Sequence, residues 1–177
     1  MTDAGLPRVP EVSAPAAMAH SLRYLEPSGP LSPADAVVGI IVDETDRYLV
    51  QLRDSKPTIF FPDHWGCFGG AIEPGETDWE CLARELQEEI DLDIGPLPVS
   101  LFTTFTFDFG FAGGSAIRRT FYEVRATAAS LRNLMLREGK AMELFPGPQL
   151  LAMQVVPYDS FALWMHCYKA ELATRAG

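Results

Sequence analysis

The sequence has few cysteines and few basic residues. Its three cysteines, Cys67, Cys81 and Cys167, are an odd number without metal-ligand or paired spacing, which argues against a disulfide framework and predicts free thiols in a reducing compartment. Only 14 lysines and arginines stand against 24 aspartates and glutamates, which gives a net charge of −10. We therefore expect neither a general nucleic-acid surface nor an anionic membrane surface, because both need clustered cations.

Long apolar runs are also absent. No stretch approaches eighteen apolar residues and no basic-then-apolar signal pattern begins the chain, so we expect neither a membrane span nor secretion, and a cytoplasmic location. Six prolines fall within residues 1–33, which predicts a largely irregular extension ahead of one domain at 34–177. A short helix is predicted within the extension at 16–26, a candidate contact for a homodimer.

The most informative stretch is 70–92, GAIEPGETDWECLARELQEEIDL. Thr77 and Glu80 form a capping-box pattern after the turn signal Pro74-Gly75, which predicts a helix from near Thr77 to about Ile90. At about 100° per residue, the apolar side chains make one stripe and three glutamates lie on a neighbouring face. The stripe is Trp79, Leu82, Ala83, Leu86 and Ile90, and the glutamates are Glu85, Glu88 and Glu89.

Three carboxylates at this spacing repel one another, so folding stability alone would not select them. A divalent cation removes the conflict. Oxygen ligands without a cysteine or histidine partner suit Mg²⁺ or Mn²⁺, and Mg²⁺ tends to combine a few carboxylates with substrate phosphate oxygens. The pattern therefore indicates a diphosphate substrate.

The stretch resembles the box of the Nudix family, Gly-x5-Glu-x7-Arg-Glu-U-x-Glu-Glu-x-Gly-U, where U is a bulky aliphatic residue. The matching positions are Gly70, Glu76, Arg84, Glu85, Leu86, Glu88, Glu89 and Leu92. The resemblance implies that the Gly70 carbonyl and the glutamates Glu85, Glu88 and Glu89 bind metal, and that Arg84 and Glu76 form an orienting ion pair. The alternative is an exposed acidic helix with ordinary surface salt bridges, which the full pattern disfavours.

One box position differs, because Asp91 stands where the pattern has glycine. That glycine would normally adopt a left-handed conformation past the helix end. Aspartate tolerates this conformation at some cost, since its short side chain can bond locally. The departure bears on the local turn and leaves the metal ligands as expected.

The remaining pattern predicts strands at DAVVGIIV and RYLVQLR around a turn at 43–46, a further strand at WGCFGGAI, a hairpin of LFTTFTFDF and RRTFYEVRA around the loop 110–115, and a short strand at MELF. Helices are predicted at 148–153 and 159–173, the second with Asp159 as its N-cap. This order matches the α/β/α sandwich with a mixed β-sheet of the resembled family. The fold class is therefore α/β.

Residues outside the box are expected to complete the site. The resemblance implies a further carboxylate from a later loop, for which Glu138 is the better candidate and Glu143 the alternative; each is also compatible with a plain surface role. Four cations, Arg53, Lys56, Arg118 and Arg119, are available to hold non-scissile phosphates or carboxylates.

The resemblance implies a Nudix-type pyrophosphohydrolase acting on acid anhydrides. We expect a metal-dependent hydrolase that cleaves the diphosphate bond of a small-molecule nucleoside diphosphate derivative, such as a nucleotide sugar. The proton acceptor is either Glu85 or Glu138. A nucleoside triphosphate pyrophosphatase that clears damaged nucleotides is the enzyme alternative, and a ligand sensor with the same fold and no chemistry is the alternative from another class.

Overall fold

The computed structural model describes residues 34–108 and 115–175. These residues form seven strands in one mixed sheet. The strands are β1 (Ala36–Val42), β2 (Arg47–Leu52), β3 (Trp65–Gly66), β4 (Phe68–Ala71), β5 (Val99–Asp108), β6 (Ala116–Arg125) and β7 (Ala141–Pro146). The predicted extension at 1–33, including the helix at 16–26, and residues 110–114 of the predicted loop lie outside the described residues.

Strand β1 is the centre of the sheet. It pairs in parallel with β6 and antiparallel with both β2 and β4. The sheet order is β3-β2-β1-β6-β5, with β4 beside β1 and β7 antiparallel beside β2. All seven residues of β1, AVVGIIV, are buried, as expected for a strand covered on both faces. The predicted α/β fold with a mixed sheet is confirmed.

Side chains that alternate along the strands divide the core into two faces. The α1 face is covered by helix α1 (Asp78–Ile90) and includes Val37, Ile41, Leu49, Phe68 and Val124. The α4 face is covered by α3 (Gly147–Leu151) and α4 (Pro157–Cys167) and includes Val38, Ile40, Val42, Val50 and Phe121. Neighbouring strand residues therefore serve different faces, which decides where each candidate site residue points.

Helix α1 begins and ends as the sequence predicts. Thr77 accepts a hydrogen bond from the Glu80 backbone N–H at 3.3 Å, and the Glu80 carboxylate accepts one from the Thr77 N–H at 2.8 Å. Asp91 closes the helix in the left-handed conformation, with φ 61°. The predicted apolar stripe is wrong at Trp79, which is 44% exposed, whereas Cys81 is fully buried. The Cys81 Sγ lies 3.7 and 3.5 Å from the Gly70 and Ala71 carbonyl oxygens, so the buried side of the first turn is at Cys81 and Trp79 faces solvent.

The C-terminal helix differs from its prediction. Instead of one helix at 159–173 there are two, α4 and α5 (Lys169–Arg175), separated at Tyr168. Asp159 is not the N-cap: Val156 has that position and Pro157 begins the helix, since its fixed φ favours the first turn. The sequence pattern also did not predict the short helix α2 (Ala128–Leu131). Among the described residues, no helix is long and apolar enough to cross a membrane.

The turn between β1 and β2 contains a buried carboxylate, Asp43. Its Oδ1 accepts hydrogen bonds from the backbone N–H groups of Thr45 and Arg47 at 2.9 and 3.0 Å, and Oδ2 accepts one from Arg47 Nε at 2.9 Å. Burial favours the neutral acid, but these hydrogen bonds outweigh it and lower the pKa of Asp43 to about 2.

We predict an acid-sensitive contribution to stability from Asp43. Because its pKa is lower in the folded than in the unfolded chain, the contribution is complete above pH 3.8 and is lost as the pH falls towards about 2. Urea unfolding between pH 2 and 6 should give a flatter pH profile for Asp43→Asn than for the parent. Parallel profiles of the two proteins would contradict the assignment.

Candidate active site

Arg84 lies among the acidic side chains of α1 and the loop before it. Its Nε and Nη2 donate to the two carboxylate oxygens of Glu76 at 2.8 and 2.9 Å. Nη1 donates to Glu85 Oε1 at 2.9 Å and to Glu88 Oε2 at 3.3 Å. The bond from Arg84 lowers the pKa of Glu76 to about 2. Glu76 thus holds the guanidinium in a fixed plane beside two of the expected metal ligands.

Glu85 lies directly over the backbone of Gly70. A Cβ atom at position 70 would stand 2.3 Å from Glu85 Oε1, so only glycine leaves room for this carboxylate. Burial raises the pKa of Glu85; the contacts from Arg84 oppose the rise, and the negative charges of Glu88 and Glu138 add to it. The fold therefore brings the predicted Gly70 and Glu85 together.

Glu89 is the most buried of the three box glutamates and is only 8% exposed. Its Oε2 accepts a hydrogen bond from the Gly69 N–H at 2.9 Å, and Oε1 accepts one from Gln51 Nε2 at 3.3 Å. Burial raises its pKa to about 7, and the charges of Glu85 and Glu138 contribute to the rise. Gly69 has φ 131°, and a Cβ there would meet the Val37 carbonyl oxygen at 2.2 Å. Gly70 thus leaves room for the Glu85 carboxylate, whereas Gly69 lets β4 pass close to the backbone of β1.

Glu138 lines a small cavity of about 30 Å³ with Glu89. The other lining residues are Gln51, Arg53, Asp54, Ile59 and Gly139. Glu143 is different, because it alternates along β7 with Met142 and Leu144, which pack on the α1 face. Its side chain therefore points to the α4 face, away from Glu89. The structure brings Glu138 into the carboxylate cluster and does not bring Glu143.

Two of the four candidate cations lie near this cavity. Arg53 lines it, and Arg53 Nε donates to the Phe60 carbonyl oxygen at 3.0 Å. Lys56 lies on the loop beyond, 62% exposed, with its Nζ 2.6 Å from Asp54 Oδ2. Of these cations, Arg53 is therefore the best placed to contact a molecule that binds at the carboxylate cluster.

Arg118 and Arg119 do not act as a pair, because neighbouring residues of β6 point to opposite faces. Arg118 faces α1, and its Nη1 and Nη2 donate to the Asp78 carboxylate at 2.7 and 2.9 Å. Arg119 faces α4, and its Nη2 donates to Asp159 Oδ1 at 3.2 Å. The two guanidinium groups therefore do not lie together at one anion site. Arg118 instead fixes the first turn of α1 to the sheet.

Arg119 belongs to an aromatic cluster that the sequence pattern did not predict. Its guanidinium carbon lies 4.1 Å from the centre of the Tyr158 ring, and Tyr158 also contacts Phe61 and Phe107 with ring centres 5.4 and 6.2 Å away. Arg119 Nε is buried and has no hydrogen-bond partner among the described residues. Asp159, taken as a helix cap in the sequence, is 2% exposed and also accepts the Cys67 N–H at 3.0 Å.

The residues present fit a hard divalent cation. Among residues 34–108 and 115–175, no three acidic, histidine or cysteine side chains are already gathered in a metal-binding arrangement, because Arg84 stands between them. The donor set is nevertheless oxygen alone, and Glu88 is 62% exposed and able to turn inward. The partly buried Glu85 and the buried Glu89 both adjoin the backbone at 69–70. Metal binding here would require Glu85 and Glu88 to exchange their contacts to Arg84 for contacts to the ion.

We predict that Gly70→Ala weakens divalent metal binding, because the added methyl group displaces the Glu85 carboxylate. Mn²⁺ titration followed by electron paramagnetic resonance should show an affinity lower by about 10- to 100-fold. Gly95→Ala is the control, since Gly95 has only Asp93 within reach of an added Cβ. Equal Mn²⁺ affinity in the parent and Gly70→Ala would contradict this placement of Glu85.

Comparison with solved structures shows the same fold in other proteins. An E. coli dihydroneopterin triphosphate pyrophosphohydrolase superposes with a TM-score of 0.61 at 20% identity, over 75% of this chain and 93% of that chain. A C. elegans Ap4A hydrolase superposes with a TM-score of 0.55 at 15% identity, over 79% of this chain and 99% of that chain. At these identities the likeness establishes the fold alone.

Sequence comparison identifies the family. Nudix hydrolase 19, chloroplastic, from Arabidopsis thaliana is 37% identical over 60 residues, a segment that spans 33% of this chain and 13% of the plant protein. The sequence model of the NUDIX domain matches residues 32–166, which include the whole carboxylate cluster. The chain therefore belongs to the Nudix family.

Proposed function

We propose that the protein is a metal-dependent pyrophosphohydrolase that cleaves the diphosphate bond of a nucleoside diphosphate derivative. The observation that carries the proposal is that two like-charged carboxylates, the partly buried Glu85 and the buried Glu89, lie against the backbone at 69–70. Such an arrangement destabilises the fold unless a ligand compensates it. Family membership supports a pyrophosphohydrolase enzyme acting on nucleotide-derived substrates.

The proposed cofactor is Mg²⁺ or Mn²⁺, held by the Gly70 carbonyl oxygen and by Glu85, Glu88 and Glu89. When bound, such an ion offsets the charge of phosphate oxygens and lowers the pKa of an attacking water. We assign Glu138 as the proton acceptor, because Glu85 is a proposed ligand whereas Glu138 adjoins Glu89 without being part of helix α1. Arg84, fixed by Glu76, keeps Glu85 and Glu88 oriented before the metal binds.

The proposed substrate site extends from the carboxylates to the aromatic cluster through Arg53. A Cβ at Gly66 would lie 3.7 Å from Arg53 Cδ and 3.2 Å from Asp159 Oδ2, so Arg53 adjoins the α4 side of the sheet as well as the cavity of Glu138. A non-scissile phosphate at Arg53 would leave a base near Tyr158, and Arg119 would contribute a positive charge there. This continuity favours a nucleotide over inorganic diphosphate.

Nucleotide sugars remain the preferred substrates in this proposal. This preference rests on the sequence, where the loop at 110–115 between the two hairpin strands would enlarge the pocket beyond a nucleotide; residues 110–114 lie outside those described. The E. coli and C. elegans proteins are named for a pterin triphosphate and for Ap4A, so triphosphates and dinucleoside polyphosphates belong in the test. A non-catalytic sensor is less favoured, since all the box glutamates are present.

Location and assembly are also proposals. We propose a cytoplasmic protein, supported by Cys67, Cys81 and Cys167, which are all free thiols. A homodimer through residues 16–26 remains a proposal from the sequence, as these residues lie outside the described ranges. The net charge of −10 argues against nucleic acid and anionic membranes as partners.

The first test is phosphate-product release from nucleotide sugars, ADP-ribose, dinucleoside polyphosphates and nucleoside triphosphates with Mg²⁺ or Mn²⁺. We expect turnover of the diphosphate class, and a loss of about 100-fold or more in kcat for Glu85→Gln and Glu138→Gln. Glu143→Gln is the matched control, because Glu143 points to the opposite face of the sheet. Metal-dependent binding without turnover of any class would favour the sensor.

A second test compares two arginines. We expect Arg53→Met to raise KM by about 10-fold, because it removes a charged hydrogen-bond donor for phosphate. Arg118→Met should leave KM unchanged and slightly lower the unfolding temperature, since Arg118 is occupied by Asp78. Steady-state kinetics and thermal unfolding of both variants show which arginine binds phosphate. A rise in KM confined to Arg118→Met would mean that Arg118, and not Arg53, has this role.

A further inference from the structure

Asp91 occupies the one box position at which this chain departs from the Nudix pattern. The residue ends α1 with φ 61°, and its backbone N–H donates to the Gln87 carbonyl at 3.1 Å. Glycine would make this turn without the steric cost that a side chain incurs. Aspartate at this position therefore needs stabilising contacts from its carboxylate to offset that steric cost.

The Asp91 carboxylate links the end of α1 to the segment that carries Glu138. Oδ2 accepts a hydrogen bond from Arg137 Nη2 at 2.9 Å, and Oδ1 accepts one from Gln87 Nε2 at 2.6 Å. The backbone N–H of Arg137 in turn donates to the Glu89 carbonyl oxygen at 2.8 Å. Arg137 is thus held at two points on the helix end, immediately before Glu138.

The other end of this segment is held by the sheet. Gly139 has φ 93°, and a Cβ there would stand 2.7 Å from Gln51 Oε1 and 3.1 Å from the Leu52 carbonyl oxygen. Lys140 donates its backbone N–H to that carbonyl at 2.8 Å, and its ammonium group pairs with Asp63. Residues 137–140 therefore bridge α1 and β2, and Glu138 lies between the two attachments in the cavity of Glu89.

We propose that Asp91 and Arg137 are positioning residues that hold the Glu138 carboxylate beside Glu89 for proton transfer. The inference rests on the proposed function, because it gives Glu138 its role. The Asp91 and Arg137 side chains are 39% and 52% exposed, and ion pairs of this exposure contribute little to folding stability. Their effect should therefore appear in kcat far more than in stability.

The decisive variant is Asp91→Gly, which restores the family residue and removes the carboxylate. Asp46→Gly is a matched control, because Asp46 also has a positive φ, 56°, and also pairs with an arginine, Arg125, at 2.9 Å. We expect kcat of Asp91→Gly to fall about 10-fold with little change in KM. Asp46→Gly should retain the parent kcat, since its ion pair joins the turn after β1 to β6.

Arg137 provides the second arm of the test. Arg137→Met should reproduce the loss in kcat. The double variant Asp91→Gly/Arg137→Met should lose no more kcat than either single variant, because the two residues act as one unit. Arg137→Lys should recover part of the activity. Hydrogen exchange provides a readout independent of turnover. The peptide spanning 137–140 should exchange faster in Asp91→Gly and Arg137→Met than in the parent or Asp46→Gly.

The outcomes separate this inference from the proposed function. If the parent turns over substrate and Glu138→Gln loses activity while Asp91→Gly retains the parent kcat, the positioning role is overturned. Full activity of Glu138→Gln overturns it as well. If the parent has no turnover on any diphosphate, the proposed function fails. In that case hydrogen exchange still tests the contact: an unchanged exchange rate at 137–140 in Asp91→Gly would show that Asp91 does not hold the segment.

Discussion

The burial of Glu89 beside the partly buried Glu85 is the constraint on which the rest of the site depends. Two carboxylates one helical turn apart repel each other, and removal from water raises the pKa of both. Specific neighbouring groups offset part of this cost. Gly70 leaves room for the Glu85 carboxylate, and the Gly69 N–H and Gln51 supply hydrogen bonds to Glu89. Arg84 supplies positive charge to Glu85. None of these groups neutralises Glu89 fully, which is why we infer a cation.

The carboxylate cluster and the aromatic cluster around Tyr158 lie on opposite faces of the sheet. Helix α1 and the segment at 137–140 bring the carboxylates together on one face. The Tyr158 cluster lies on the other face, and Arg119 is held there by a buried aspartate. Arg53, at the end of β2, adjoins both. In the proposed function, this arrangement places the diphosphate chemistry and the recognition of a base on different faces of the sheet.

The sequence predicted the parts of the molecule whose causes are local. The limits of α1, its capping box and the left-handed Asp91 follow from residues within a few positions of one another. The central strands also follow from apolar patterning. Contacts between distant segments could not be predicted in this way. Gln51 reaches Glu89 across 38 positions, and Asp159 looked like a local cap because its partners, Cys67 and Arg119, are remote in sequence.

The two basic residues of β6 illustrate the same limit. Arg118 and Arg119 are adjacent in sequence and both are candidate cations there, but strand geometry sends them to opposite faces. Glu138 could be chosen over Glu143 from sequence only by its place in a loop. The structure adds the physical reason, since alternation along β7 turns Glu143 away from α1.

Thermal unfolding at increasing Mg²⁺ concentrations, with Glu89→Gln beside the parent, shows whether the buried Glu89 carboxylate binds a cation. Without metal, we expect Glu89→Gln to be at least as stable as the parent, because the variant removes a buried like charge. With Mg²⁺, the unfolding temperature of the parent should rise with metal concentration and that of the variant should rise much less. A parent whose unfolding temperature does not respond to Mg²⁺, together with a variant that is less stable at every concentration, would show that Glu89 has a structural role only.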